Sequence, residues 1–282
     1  NQEREEQYAH QLYSEAVNTR NTDMFSVTPP GVNANIFTTK SAEIDGKIKS
    51  VLDIRLGDDS RPSIVVSSRL DEKKNIIGVV KAYAGSEELR NKSNLVLCIR
   101  GVDDPEKDIG KLREEEQRVL RDLIQVANTA NIIRDIYFLN IGSQIELSAT
   151  YRYFAAKASV FALTSFYEPF GLAPIEAAAT GLAPVATNKG GPTEIFADGS
   201  GVLVDPFEPS DIARGLLEGL SNQSALATAA ISRVRNLYTW HKTAQSYIAT
   251  IESITPKYTD ISNINFSELD ASVSIKEYLT MQ

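Results

Sequence analysis

Two glutamates, Glu168 and Glu176, stand eight positions apart around a glycine turn in the run EPFGLAPIE. An apolar run over 159–164 precedes them and reads as a buried parallel strand. Residues 171–180 read as the helix that follows. Strand, glycine turn and helix, in that order, expose backbone N–H groups to phosphate. Glu168 then falls in the loop and Glu176 about one turn into the helix. Carboxylates at both ends of a phosphate cradle suit a ligand with hydroxyls at both ends, such as a nucleotide sugar. Taken alone, two glutamates are more often a solvated pair, and an acidic residue near a helix N-terminus stabilises the helix dipole. Tyr167, Phe170 and Gly171 strengthen the functional reading. So do Ala177, Ala178 and Ala179, because a helix of small residues can approach a sheet closely.

Three further segments sit where strands are expected to end. SRLDEKKN at 68–75 follows a strand over 63–67 and places Arg69 and Lys74 five apart, across a turn that starts a helix. Two cations there can neutralise a diphosphate, and most strongly when it departs as a leaving group and its charge grows. The plain alternative is a solvated basic turn, with Asp71, Glu72 and Lys73 satisfying the charges as surface pairs. Asn140 and Ile141 follow a strand over 135–139, where backbone groups with Asn140 or Gln144 can read the edge of a base. A plain turn capped by Ser143 is the stronger reading of that segment. KGGPTE at 189–194 carries paired glycines that permit a tight turn and the close approach of a ligand. His10 and His241 have no partner at ligand spacing, and no GxGxxG, Walker A or His-Glu-x-x-His run occurs.

The elements that must position these residues alternate regularly from residue 63. Strands are expected over 63–67, 95–99, 135–139, 159–164, 184–187 and 201–204. Helices are expected over 75–89, 111–131, 143–157, 171–180, 191–196 and 211–220, with 103–108 a charged loop. Such alternation implies a parallel, doubly wound, Rossmann-like α/β sheet. Ahead of it, 1–17 reads as an amphipathic helix, 25–33 as a short strand stopped by Pro29, Pro30 and Gly31, and 44–52 as a helix. Behind it, 225–238 and 239–254 read as two helices broken near Thr239 and Trp240. A polar tail over 259–282 follows. The expected division is 1–60 as a helix and connector, 61–238 as the sheet domain, and 239–282 as a final helix and tail.

Composition narrows the function classes. The chain has 282 residues and a net charge of −8, which argues against a broad nucleic-acid-binding face. Its single cysteine, Cys98, rules out an internal disulfide and a multi-cysteine zinc site, and lies in an apolar run that reads as core. No apolar run approaches the roughly 20 residues of a membrane span, and no signal-peptide pattern opens the chain. The expectation is a cytoplasmic protein without a membrane partner.

Several runs in fixed order resemble one family. They are TPPGVN at 28–33, SRLDEKKN at 68–75, TSFYEPFGLAPIE at 164–176, NKGGPTEI at 188–195 and GVLVDP at 201–206. Together they resemble the C-terminal, nucleotide-sugar-binding half of a retaining glycosyltransferase of family 4, with the GT-B fold. The likeness runs from near the start to about residue 254, and 257–282 find no counterpart. The resemblance implies that Arg69 and Lys74 hold the leaving diphosphate, aided by Ser68. It implies that Glu168 lies near the donor sugar and that Glu176 binds the ribose hydroxyls. Phe170, Gly171 and Leu172 then present backbone N–H groups to sugar and phosphate; Asn140 and Ile141 are counted with the donor-binding residues on the strand-end reading above. It implies no metal or other cofactor, UDP-glucose or ADP-glucose as donor, and a sugar phosphate as acceptor. The acceptor site belongs to a preceding N-terminal domain, supplied by the same gene or another chain. A non-catalytic binding module is the competing reading.

Overall fold

The computed structural model describes residues 26–57 and 59–254. The helix expected over 1–17 and the tail over 259–282 lie outside the described residues. Six strands form one parallel sheet: β1 (Ser63–Ser67), β2 (Asn94–Cys98), β3 (Ile136–Leu139), β4 (Val160–Leu163), β5 (Ala183–Thr187) and β6 (Val202–Val204). Their spatial order is β3-β2-β1-β4-β5-β6. The helices are α1 (Ile44–Leu56), α2 (Ile76–Gly85), α3 (Glu87–Lys92), α4 (Pro105–Asp108), α5 (Glu114–Thr129) and α6 (Gln144–Ala155). After them come α7 (Leu172–Thr180), α8 (Pro192–Ile195), α9 (Pro209–Ser221), α10 (Gln223–Leu237) and α11 (Trp240–Ile254). The doubly wound α/β expectation therefore holds.

The pleat sorts each strand's side chains onto two faces. Ile64, Val66, Leu95, Leu97, Val160 and Val185 join one core, with α2, α3, α5 and α9. Val65, Val96, Cys98, Phe161, Leu163 and Ala186 join the other, with α1, α6, α7 and α10. Burial on both faces explains why the strands read as unbroken apolar runs. Each fully buried aliphatic side chain contributes roughly 1.5–3 kcal/mol. Cys98 is core packing as expected, and burial pushes its thiol up to about 12.

Local chemistry moved several boundaries. The single helix expected over 75–89 is two, because Ser86 turns extended and accepts from Leu89 N to start α3. The loop expected over 103–108 contains α4, since Asp104 caps Glu106 and Lys107 N–H groups and Pro105 takes the first helical position. The helix expected over 191–196 is the one turn α8. Residues 26–30 form no strand; Val32 instead makes an isolated bridge with Thr239. That connector is held along α11 by Ser26 with Thr250, Thr28 with Ser246, and the Thr243 hydroxyl donating to Pro29 O at 2.8 Å.

Strand order reverses between β1 and β4, so the loops leaving them diverge and open a crevice at their carboxyl ends. Asn75 fastens that crevice. It has φ 51°, the left-handed region, and is buried. Its amide donates to Thr164 O at 3.1 Å and to Pro206 O at 2.7 Å, while its Oδ1 accepts from Gly78 N at 3.2 Å. The Thr164 hydroxyl donates to Asn75 O at 3.1 Å. One side chain thus joins the loops after β1, β4 and β6. Asn75→Ala loses three bonds and meets left-handed strain, an expected cost of about 3–4 kcal/mol in urea unfolding. Asn75→Gly loses the same bonds without the strain and is expected to cost about 1 kcal/mol less.

Candidate functional site

The loop after β1 closes in a tight turn over Glu72–Lys74, capped by Asp71 accepting from Lys73 N at 3.0 Å. The turn projects Lys74 across the crevice. Its Nζ donates to Glu168 Oε2 at 2.8 Å, with only 24% of the lysine and 12% of the glutamate side chain exposed. Two residues 94 positions apart are thereby in contact. The Ser165 hydroxyl lies 3.4 Å from the same oxygen. Phe166 N donates to Lys73 O at 3.0 Å, so backbone as well as charge holds the loops together. The alternative in which acidic neighbours satisfy the basic turn does not describe Lys74, because its ion-pair partner is Glu168 on the other side of the crevice.

The loop carrying Glu168 is fixed from its other side by Gly190 and Gly191. Glu168 N donates to Lys189 O at 3.1 Å and Gly191 N donates to Glu168 O at 2.8 Å. A Cβ on Gly190, which has φ 97°, would stand 2.3 Å from Glu168 O; one on Gly191 would stand 2.2 Å from Phe170 O. The paired glycines serve the close approach of the protein's own loop, a role the sequence reading had divided between a ligand and a plain turn.

Gly171 begins α7 at φ 115° and no side chain caps the helix. Pro174, third in α7, has no N–H to give, so Leu172 and Ala173 offer the leading amides to an anion. Leu172 is exposed and Phe170 lies partly buried, in contact at ring centroids 6.0 Å from Tyr238.

Glu176 is the fifth residue of α7. It is half-buried, and desolvation pushes its carboxyl up to about 7 from 4.5. Tyr151 of α6 is fully buried, and no partner meets hydrogen-bond geometry at its hydroxyl. Burial raises the Tyr151 phenol, the charges of Cys98 and Glu176 add to that rise, and the Ser67 hydroxyl opposes it.

The remaining predicted residues are less tightly drawn in. Arg69 is exposed and outside the Lys74–Glu168 pair; the Glu116 carboxyl at the start of α5 is lowered chiefly by its hydrogen bond with Arg113, and the Arg69 charge adds only the smallest contribution. The Ser68 hydroxyl donates to Arg69 O at 3.1 Å. Asn140 follows β3, two strands and so about 10 Å from β1. Its Oδ1 accepts from Gly101 N at 2.7 Å and its N–H donates to Asp103 Oδ1 at 2.9 Å. Ile141 lies partly buried beside it. Ser143 caps α6 through Glu146 N at 3.2 Å. His241 is exposed on α11, and His10 lies outside the described residues. Sequence reading missed Asn75 as a fastener and Ser165 and Tyr151 as neighbours of the two glutamates. Only Asn75, a polar residue just ahead of an apolar helical run, carried a visible signal.

Comparison with known proteins follows this geometry. A family model described as glycosyl transferases group 1 matches residues 52–236. The probable sucrose-phosphate synthase of Thermosipho melanesiensis is 37% identical over 252 residues, covering 89% of this chain and 52% of that protein. Sucrose-phosphate synthase 4 of Arabidopsis thaliana is 30% identical over 248 residues, 80% of this chain and 23% of that one. This chain therefore spans about half the length of the bacterial relative and about a quarter of the plant one. Among solved structures, sucrose-phosphate synthase from Thermosynechococcus elongatus superposes with a TM-score of 0.67 at 23% identity, covering 90% of this chain and 57% of that one. Anabaena HepE in complex with UDP and glucose gives 0.62 at 21%, covering 79% and 55%. These neighbours have the GT-B fold, and the sheet described above is their shared architecture.

Glu176 makes stability depend on pH. Its folded pKa lies above its unfolded value, so its contribution is complete below about 4.5 and is lost as pH rises through about 7. Glu176→Gln is expected to flatten that window and to raise the unfolding free energy at pH 8 by about 1–3 kcal/mol, read by denaturant titration at several pH values. Gly190→Ala is expected to cost more than about 2 kcal/mol, measured the same way, because strain and a backbone clash coincide.

Proposed function

Because this chain belongs to the group 1 glycosyl transferases, we propose that it is the donor-binding half of a retaining hexosyltransferase. The proposed whole enzyme is a sucrose-phosphate synthase: UDP-glucose and fructose 6-phosphate give sucrose 6-phosphate and UDP. One observation carries the reading. Lys74 and Glu168 meet at the switch point of the sheet, beside the uncapped start of α7. The named activities of the relatives and the UDP and glucose of the HepE structure support the choice of donor. ADP-glucose is the alternative donor, and sucrose synthase, a relative at 28% identity, the alternative enzyme.

Each residue then has a task. Lys74, Arg69 and the Leu172 and Ala173 amides receive the diphosphate. Glu168 holds a hexose hydroxyl, and Glu176 accepts from the ribose hydroxyls. Phe170 and Gly171 shape the floor, Ser68 lies beside the phosphates, and Asn140 and Ile141 mark the end where the base lies. During transfer the bond from the anomeric carbon to the β-phosphate oxygen breaks, and its electron pair stays on that oxygen. The acceptor hydroxyl oxygen bonds to the same face of the carbon, and its proton passes to the departing phosphate. The growing negative charge falls on Lys74 and the α7 amides, so the pocket's positive groups favour the transition state over the ground state. No metal is required for that neutralisation.

The acceptor site is assigned to a partner domain, from the same gene or another chain, acting in the cytoplasm. No described helix is long and apolar enough to cross a membrane.

Calorimetric titration tests the reading. UDP is expected to bind in preference to ADP and GDP, and Lys74→Ala and Glu176→Ala each to weaken UDP by about 10-fold or more. Absence of UDP binding overturns it in favour of an assembly module. With UDP-glucose and fructose 6-phosphate, the isolated chain is expected to turn over well below about 1 per second. Ionisation of Glu176 by ribose predicts proton release on UDP binding near pH 7, read as a dependence of the observed heat on buffer ionisation enthalpy.

A further inference from the structure

We propose that Glu168 makes the site select a sugar-bearing nucleotide over the bare nucleoside diphosphate, by holding Lys74 in an ion pair for which a bare diphosphate must compete. The inference rests on the donor-site reading above and adds a selection that this reading does not contain.

The Lys74 ammonium sits 2.8 Å from Glu168 Oε2, and both side chains are largely withdrawn from solvent. Screening is weak there, so each charge feels the other strongly. Ser165 approaches the same oxygen at 3.4 Å. Both contacts fall on Oε2, and Oε1 is the oxygen available to a ligand hydroxyl. The backbone of Glu168 is clamped by Lys189 O and Gly191 N, so the loop that carries the carboxylate is held in place beside Lys74.

A bare diphosphate that enters this arrangement meets a cation already half neutralised and a carboxylate of its own sign. It has nothing to offer Oε1, so the repulsion is uncompensated. In a nucleotide sugar the β-phosphate is a diester and carries one negative charge fewer. Its hexose also places a hydroxyl donor where Oε1 can accept. The ammonium has three N–H donors and can keep Glu168 while donating to phosphate. The same carboxylate is thus a cost to the product nucleotide and a partner to the substrate. After transfer the hydroxyl leaves with the sugar, the repulsion returns, and release of the diphosphate is favoured. Specificity here comes from an element that repels the wrong ligand as well as one that attracts the right one.

The test is calorimetric titration of the 282-residue chain with UDP and with UDP-glucose, for wild type and Glu168→Gln. The substitution keeps the side chain's shape and removes its charge. UDP is expected to bind Glu168→Gln about 5-fold or more tightly than wild type, with UDP-glucose unchanged or weaker. Glu168→Asp, which retracts the carboxylate from Lys74, is expected to fall between the two and guards against a folding defect in the first variant. If wild type binds both ligands but neither variant gains affinity for UDP, the inference is overturned and the donor-site reading stands. If wild type binds neither ligand, the donor-site reading itself fails.

Discussion

The reversal of strand order between β1 and β4 is the constraint on which everything else depends. A parallel sheet sends every loop to the same edge, but only at a reversal do adjacent loops run to opposite faces. The space between them is bounded by backbone that cannot fill it. Here the two loops are those that carry Lys74 and Glu168. Asn75 and Thr164 exchange bonds beneath the crevice, so its width is set by hydrogen bonds between main chain and side chain. Residues far apart in the chain become neighbours because the topology leaves them nowhere else to go.

Charge is distributed unevenly around that crevice. Lys74 and the uncapped start of α7 are positive, while Glu168 and Glu176 flank them. The two carboxylates have different surroundings. Glu168 is paired with a cation, whereas burial alone raises the Glu176 carboxyl to about 7. A paired carboxylate can stay ionised in a dry site, and an unpaired one needs a ligand's hydroxyls to do so. The same residue type thus meets two environments at the two ends of the motif, an ion pair at Glu168 and burial at Glu176.

Much of this was legible in the sequence, for physical reasons that can be named. Strands buried on both faces show as plain apolar runs, so the six strands and the parallel sheet could be read directly. The glycine turn before α7 announced itself because Gly171 needs a left-handed backbone and the alanines after it need a close sheet. The meeting of Lys74 with Glu168 was not legible, since no local pattern encodes strand order. For the same reason, the capping job of Asp71 was hidden behind a charged run that looks like any solvated turn, while Asn75 showed only as a polar residue ahead of an apolar helical run. Gly190 and Gly191 read equally as room for a ligand or as a plain strand-to-helix turn, and in the fold they yield space to Glu168 and Phe170 backbone. A glycine reports that something comes close and does not say what. The breaks at Ser86 and Asp104 escaped because one hydroxyl or carboxylate decides them against the surrounding periodicity.

The central claim is that Lys74 and the leading amides of α7 grip one diphosphate between them. A crystal structure of the chain with bound UDP-glucose tests it most directly. The account predicts β-phosphate oxygens within about 3 Å of Lys74 Nζ and of the Leu172 or Ala173 nitrogen. A diphosphate bound elsewhere on the sheet edge, or a Lys74 side chain turned away from it, would contradict the account.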